Sequence, residues 1–379
     1  MSSLDLVVQV LRKCTHIIIK IRQKVNSEKK TIIARIKVME ISEAALATIA
    51  YYDALDYPVS LFEVYRYLVN PSRLKPRIEG LAAANLKDIR AGLGELLEKE
   101  AIEEERGFYF LKGKRDLVSK RLKSEKIAAQ KWRRCLNKAY WLQAAPWVRG
   151  IFASGSLALG SVDEDSDFDV LVIIESGRLY LGRLILSVLA SLLGARRTRF
   201  QTKAPDKFCF NHYLTTVSSS NSDTVGRRGP TLEIEHQSLY NAQTYVHLVP
   251  IMIDPRLIGK FFAANLWINK YVYNFTPHYQ TIRRTAAKNS FLIFTAKLVE
   301  KILAGNMGDL FENLARSYQQ KRIVRNPATH APGGRVVYTD HELEFHPYSF
   351  EKTVLEKYNA ATRRLGISIN TEHDSGLKI

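Results

Sequence analysis

The chain has 379 residues, of which 46% are hydrophobic, and it carries a formal net charge of +18. That length and composition allow about two or three domains with ordinary cores and exclude a wholly disordered chain. No apolar run reaches the roughly 20 residues that a membrane-spanning helix needs. The three widely spaced cysteines favour neither a disulfide framework nor a zinc site. We therefore expect a protein without a membrane span in a reducing compartment, the cytoplasm.

The elements at the start of the chain predict a basic arm followed by a small helical domain. Residues 1–40 have the composition of a basic, partly amphipathic helix. The next segment predicts three helices, and the second of them opens with a capping box formed by Ser60 and Glu63. Residues 102–111 then predict a β-hairpin. This order predicts a winged-helix-like domain over residues 41–115, which could bind DNA or serve as a structural or protein-docking module.

Residues 116–146 predict one long basic connecting helix that ends before Pro146, since proline cannot continue a helix. Between Arg106 and Lys138 there are 12 lysine or arginine residues and only two acidic ones. Such a positive field attracts nucleic acid, nucleotides or acidic surfaces. A solvated helix would have the same composition. Nucleic-acid binding by the basic N-terminal half is therefore one of two interpretations.

The strongest chemical signal is a pair of acidic residues at the start of a predicted strand. Asp167 and Asp169 alternate with apolar residues, so their side chains point to the same face of that strand. Carboxylate oxygens are the ligands that Mg²⁺ prefers. Two metal ions held there would activate an attacking hydroxyl and stabilise a pyrophosphate leaving group. A tight turn with a solvated strand end is the competing interpretation, and the buried apolar neighbours argue against it.

A second signal lies just before the acidic pair. A short predicted strand leads into Gly155 and Ser156, which open a short predicted helix. Glycine permits close approach of the backbone, and the first amides of the helix together with the Ser156 hydroxyl could hold a triphosphate. Ser166, at the end of the intervening turn, is a further candidate nucleotide contact. These residues predict an NTP site beside the metal site.

The combined pattern resembles the signature of the DNA polymerase β-type nucleotidyltransferases. That signature is Gly-Ser, a gap of about ten residues, and Asp-apolar-Asp-apolar on a strand, as residues 155–170 have it. The resemblance implies an α+β fold with a short mixed sheet and helices, here over residues 147–228. It also implies Mg²⁺-dependent transfer of an NMP group from an NTP to an unknown hydroxyl or phosphate acceptor. The order of the predicted domains resembles uncharacterised bacterial nucleotidyltransferase-domain proteins with an N-terminal winged-helix-like unit.

The family usually has a third carboxylate on a later strand, and this chain departs from that pattern. The next predicted strand places Asn211 there, and Asp206 lies just before the strand. An asparagine oxygen can ligate a metal, but the amide cannot act as a base. The protein could therefore be an enzyme or a catalytically degenerate nucleotide-binding or regulatory module that engages nucleic acid or a protein partner.

The remainder, residues 229–379, predicts a helical C-terminal region, and the resemblance implies that such a region closes over the nucleotide or acceptor. The basic loop before the third strand carries Arg196, Arg197 and Arg199, which could contact phosphates. The late histidines are spaced too irregularly for a metal site, and we interpret them as surface or structural residues: His330, His341 and His346.

Overall fold

The computed structural model describes Arg22, Asn26 and residues 38–74, 84–198, 201, 203–216, 232–276, 284–348 and 350–372. Most of the predicted basic arm over residues 1–40 lies outside these residues, as does Arg199. None of the helices described is long and apolar enough to cross a bilayer.

The N-terminal unit combines helices with a small antiparallel sheet. Its elements in chain order are α1 (residues 38–53), β1 (Val59–Ser60), α2 (Leu61–Arg66), α3 (Leu86–Glu98), β2 (Ile102–Glu105) and β3 (Phe108–Leu111). The strand order is β1-β3-β2, and both pairs are antiparallel. The predicted hairpin is confirmed, whereas the assignment to the winged-helix class stays a prediction.

The predicted capping box at the start of α2 is confirmed. Glu63 accepts a hydrogen bond from the Ser60 backbone N–H at 2.8 Å, and the Ser60 hydroxyl accepts one from the Glu63 backbone N–H at 3.4 Å. Each side chain thereby satisfies an N–H group that has no partner within the helix. The sequence pattern thus places the start of this helix correctly.

The long basic helix, α4 (Asp116–Leu142), ends four residues before Pro146. Two of its basic side chains are buried and make internal contacts. Arg121 pairs with Glu63 at 2.8 Å, which joins the helix to the N-terminal unit. Lys131 is fully buried and contacts the loop that precedes the acidic pair. Part of the predicted positive field is therefore used inside the molecule.

The core of the molecule is a six-stranded mixed sheet. Its strands are β4 (Val148–Ala153), β5 (Phe168–Ile174), β6 (Phe208–Thr215), β7 (Val249–Ile253), β8 (Arg335–Tyr338) and β9 (Glu342–His346). The spatial order is β7-β4-β5-β6-β9-β8, in which β5 and β6 are parallel and the other neighbours are antiparallel. The parallel pair brings the beginnings of β5 and β6 to the same end of the sheet.

Helices cover the sheet on both faces. The helices that follow α4 in the chain are α5 (Gly155–Leu159), α6 (Leu179–Leu192), α7 (Leu239–Tyr245), α8 (Pro255–Ala264), α9 (Ser290–Ile302), α10 (Asn306–Val324) and α11 (Phe350–Arg364). Short 3₁₀ turns lie at Pro71–Arg73, Leu266–Lys270 and Pro327–His330. Val170 and Val172 pack toward α4 and α6, whereas Leu171 and Ile173 pack toward α7 and α8. This alternation buries both faces of β5.

The prediction of a helical region over residues 229–379 is wrong in part, because this region also supplies β7, β8 and β9. The segment 232–248 was expected to be helical, but its helix covers only Leu239–Tyr245. The edges of the sheet explain the difference. Without further strands, β4 and β6 would be edge strands with unpaired backbone N–H and C=O groups. Strand β7 pairs with β4 and strand β9 pairs with β6, so these groups are hydrogen-bonded.

The C-terminal helix α11 packs on the N-terminal unit and not on the sheet. Val354, Leu355 and Tyr358 belong to the same buried cluster as the apolar residues of α1. The rings of Tyr358 and Tyr51 meet edge to face with centroids 5.9 Å apart. The predicted domain over residues 41–115 therefore shares its core with the end of the chain.

Candidate functional site

Gly155 lies at the closest approach between the Gly-Ser turn and the acidic strand. Its φ is +60°, in the left-handed region that favours glycine. A Cβ atom at this position would lie 2.6 Å from Oδ2 of Asp169 and 3.2 Å from its Cβ. The Ser154 backbone N–H also donates to the Asp169 carbonyl at 2.9 Å. The glycine therefore allows an acidic side chain to lie directly against the turn.

The two predicted acidic residues come together at this turn. Asp167 lies directly before β5 and Asp169 is its second residue. One carboxylate oxygen of each and the sulfur of Cys209 lie within 4.8 Å of one another. Burial, together with the negative charge of Asp167, raises the pKa of Asp169 to about 6. Such a raised pKa is typical of carboxylates that share a site, and a divalent cation between them would relieve the repulsion.

An arginine already compensates part of this negative charge. Nη1 of Arg197 lies 2.6 Å from Oδ2 of Asp167, and the arginine side chain is 35% exposed. Among the described residues of the predicted phosphate-binding loop, Arg197 is thus at the acidic pair, whereas Arg196 lines a cavity beside it. A metal ion bound by Asp167 would have to share this carboxylate with Arg197 or displace the guanidinium.

The third position of the site is occupied by neutral groups. In the parallel register Asp169 lies opposite Cys209, and an irregularity follows before His212. Nδ2 of Asn211 donates to Oδ1 of Asp169 at 3.1 Å, so the structure brings Asn211 to the acidic pair. Burial, and then the charges of Asp169 and Asp167, raise the pKa of the Cys209 thiol, which is therefore neutral. Sequence reasoning missed Cys209, although it lies two residues before Asn211 on the same strand.

Asp206 is not part of this group. Its Oδ1 lies 3.1 Å from Nζ of Lys131 and its Oδ2 lies 2.7 Å from Nη1 of Arg134, both on α4. Burial opposes ionisation, but the hydrogen bonds from these two cations hold the pKa of Asp206 below its ordinary value. The side chain thus ties the start of β6 to the long helix.

The two serines have different surroundings. The Ser166 hydroxyl donates to Oδ1 of Asp163 at 2.7 Å and accepts from the Asp163 backbone N–H at 3.0 Å. It therefore shapes the turn before the acidic pair. Ser156 follows Gly155 in α5 and is partly exposed, and its carbonyl accepts from the N–H groups of Gly160 and Ser161 at 2.9 Å.

Lys131 on α4 fixes the position of the turn that precedes Asp167. Its buried Nζ donates to the carbonyls of Glu164 at 2.9 Å and Ser166 at 2.7 Å, in addition to its contact with Asp206. These carbonyls lie one to three residues before Asp167. The long helix consequently holds the loop that presents the acidic pair.

His346, at the end of β9, lines the cavity that contains Asp169. Its Nδ1 lies 2.9 Å from Oε1 of Glu344, which also pairs with Arg335 at 2.5 Å. Burial disfavours the imidazolium, but Glu344 and then Asp169 raise the pKa of His346 above its ordinary value. The interpretation of His346 as a surface or structural residue did not anticipate that it lines the cavity beside Asp169. No local pattern could indicate it, because β9 joins the sheet from far along the chain.

The cavity beside the acidic pair has a volume of about 1040 Å³. Asp169, Cys209 and Asn211 lie at one end of it, and Arg183, Arg196 and Arg322 line another part. Ligand pockets in proteins span about 300–1,000 Å³, so the space is sufficient for a nucleotide or a larger molecule. Asp169 is therefore open to ligands from a cavity in which the other charged side chains are arginines, with His346 beside them.

Residues 137–218 match the family model described as "Nucleotidyltransferase domain". The matched range contains β4, α5, β5, α6 and β6, and with them every candidate site residue predicted from the sequence. The comparisons with curated proteins and with solved structures gave no match. The similarity thus covers the centre of the sheet and its acidic site, and the flanking parts of the chain lie outside it.

Proposed function

We propose that the protein transfers an NMP group from an NTP to a hydroxyl or phosphate acceptor, with a divalent cation, Mg²⁺, as cofactor. The observation that carries this proposal is the close approach of Asp169 to Gly155, which puts an acidic pair against a Gly-Ser turn. The match of residues 137–218 to a nucleotidyltransferase domain supports the reaction class. A cytoplasmic location remains a prediction.

In this proposal Asp167 and Asp169 hold the cation, since their oxygens are close together and ionisation of Asp169 is disfavoured without one. When bound, the cation would polarise the transferred phosphate and favour loss of pyrophosphate. The Gly155 backbone and the Ser156 hydroxyl contact the phosphates. Ser166 acts on the same site through the turn that it shapes, and Arg197 neutralises Asp167 when no nucleotide is present.

A specific observation favours the second function, a nucleotide-binding module without turnover. The residue opposite Asp169 is the neutral thiol of Cys209, and Asn211 donates its amide to the same carboxylate. Metal-assisted transfer needs a group that takes the proton of the acceptor. An acceptor that is already ionised, such as a phosphate, needs no such group, and the enzyme function is consistent with these residues in that case.

The test is pyrophosphate release from each of the four NTPs with Mg²⁺, for the wild type and for Asp167→Asn and Asp169→Asn. We expect each variant to lose at least about a hundredfold in rate, as is typical when one charge-stabilising group is removed. The matched control is Asp165→Asn in the same loop, since Asp165 is exposed and pairs with Lys203. Equal losses in the control and the two variants would contradict the assignment.

Thermal stabilisation by ATP with Mg²⁺ separates the two functions. An inactive wild type whose stabilisation disappears in the Asp167→Asn, Asp169→Asn double variant is a binder, because ligands that bind the folded state raise its stability. In that case Asn211→Asp, which restores a carboxylate beside Asp169, is the variant expected to release pyrophosphate. A wild type that neither binds nor turns over any NTP would refute both functions.

A further inference from the structure

Three arginines beside the acidic site are close together and have no acidic partner among the residues that the structure describes. They are Arg183 on α6, Arg196 just after α6 and Arg322 on α10. Burial lowers the pKa of Arg196, and the charges of Arg183 and Arg322 lower it further. Within the described part of the chain, no carboxylate lies within 4.0 Å of any of the three guanidinium groups. Such unpaired like charges at a cavity wall are typical of a site for an anionic ligand.

Arg183 is held in place by neutral groups. Its Nη1 donates to Oε1 of Gln319 at 2.5 Å, and its guanidinium lies 4.6 Å from the ring centroid of Phe345. Its Nε is buried and has no acceptor among the described residues. A buried donor without an acceptor is costly. The arginine is thus fixed in orientation while its charge stays uncompensated.

The cavity extends away from Asp169 along α10. A second space of about 780 Å³ shares part of its wall with the first one, including Tyr318, Arg322 and Tyr348. Lys321 and Arg325 add two more cations there. Among the described residues that line either space, Asp169 is the one carboxylate. We call this continuous surface the basic trough.

Two aromatic rings along the basic trough are open to solvent. The side chain of Tyr318 is 60% exposed and that of Tyr348 is 80% exposed. No ring contact joins either of them to another described aromatic residue. Exposed rings beside arginines are the combination with which proteins bind single-stranded nucleic acid, since unpaired bases stack on the rings and phosphates pair with the cations.

We propose that the basic trough is the acceptor subsite and that it binds the end of a single-stranded nucleic acid. This inference rests on the proposed function, because the acidic pair at one end of the trough supplies the chemistry. Arg183, Arg196 and Arg322 contact the phosphates next to the terminal hydroxyl, and Tyr318 and Tyr348 stack on bases farther away. A small phosphorylated acceptor would use the first space and leave the second one empty.

The basic trough differs from the nucleic-acid site expected from the sequence. That expectation concerned residues 106–138, where Arg121, Lys131 and Arg134 are engaged with Glu63, backbone carbonyls and Asp206. Among the described residues, Arg183, Arg196 and Arg322 have no carboxylate partner, and they line the cavity that contains Asp169. The acceptor therefore meets unpaired positive charge at the cavity and not along the face of α4 that holds the loop.

The experiment measures binding of a fluorescein-labelled 12-nucleotide single-stranded RNA by fluorescence anisotropy, without NTP. We expect Arg322→Ala to weaken binding roughly tenfold and to reduce the slope of log K against log salt by about 0.7, since one phosphate contact is lost. Arg322 is exposed, so the variant should fold, and its melting temperature checks this. The matched control is Arg364→Ala, an exposed arginine on α11 outside the trough.

Competition by unlabelled AMP and by a 12-base-pair duplex tests the class of acceptor. Displacement by AMP at concentrations similar to those of the 12-mer would overturn the proposal in favour of a small phosphorylated acceptor. Preference for the duplex, no binding by the wild type, or equal effects of Arg322→Ala and Arg364→Ala would also overturn it. The Asp167→Asn, Asp169→Asn double variant should still bind the 12-mer, so this binding supports the trough even where no NTP is turned over.

Discussion

Replacement of Gly155 by alanine is the sharpest probe of how the acidic pair is positioned. The new methyl group would lie 2.6 Å from Oδ2 of Asp169, whereas an ordinary contact begins near 3.4 Å. The carboxylate would therefore have to move by about 0.8 Å, or the turn would have to open. Either response changes the distance between the Gly-Ser turn and the oxygens that we assign to the cation.

The size of the effect follows from two separate costs. A residue other than glycine in the left-handed region loses about 1–2 kcal/mol of stability. A misplacement of about 1 Å in a catalytic group costs about a hundredfold in rate. We therefore expect Gly155→Ala to lower the free energy of unfolding by about 1–2 kcal/mol and the rate of pyrophosphate release by about a hundredfold.

Gly160 provides the matched control, because it ends the same short helix with a φ of +84°. A Cβ atom there would have no neighbour within 4 Å. Gly160→Ala should consequently lose similar stability in urea denaturation but keep pyrophosphate release within a few-fold of the wild type. If both variants lose activity equally, backbone strain and not the contact with Asp169 controls the site, and our reasoning about Gly155 is refuted.

Two further predictions concern buried side chains. Lys131→Met should lower the free energy of unfolding by about 2–4 kcal/mol in urea, because the carbonyls of Glu164 and Ser166 lose their donor, whereas Arg133→Met on the exposed side of α4 should change it by less than about 0.5 kcal/mol. Similar values for both variants would show that Lys131 does not stabilise the turn before the acidic pair. Burial lowers the pKa of His247 to about 3, so the unfolded chain binds the proton first as the pH falls below about 6.5. Unfolding free energy should therefore fall between pH 7.5 and 4.5 by about 2 kcal/mol more in the wild type than in His247→Gln, and parallel pH profiles would contradict this.

The parts of the fold that local sequence patterns specify could be predicted. The capping box at Ser60 and Glu63 is a contact between residues three apart in the sequence. The alternation of acidic and apolar side chains at Asp167 and Asp169 indicates β5, a strand of seven residues. These signals need no knowledge of the rest of the chain, since they arise from side chains that meet through helix or strand geometry. The three strands at the centre of the sheet, β4, β5 and β6, were accordingly expected in the chain order that the structure shows.

The parts that depend on distant partners could not be predicted. Strand β9 completes the sheet beside β6, and the helix α11 completes the core of the N-terminal unit, although each lies more than 100 residues away along the chain. Cys209 was missed for a related reason. Its place opposite Asp169 depends on the register of two parallel strands, which the sequence of either strand alone does not determine.

The net charge of the chain does not show which of its basic residues are free to contact a ligand. Lys131 is buried and Arg134 is paired with Asp206, so these two charges of α4 stabilise the loop before the acidic pair. Arg196 and Arg322, which are separated by more than 100 residues in sequence, form part of the unpaired cluster at the cavity. Whether a cation can bind a phosphate depends on its neighbours in space, because a carboxylate or carbonyl that already accepts its hydrogen bonds removes most of its attraction. A run of basic residues in a helix shows how many charges are present, and the fold decides which of them remain available to an acceptor.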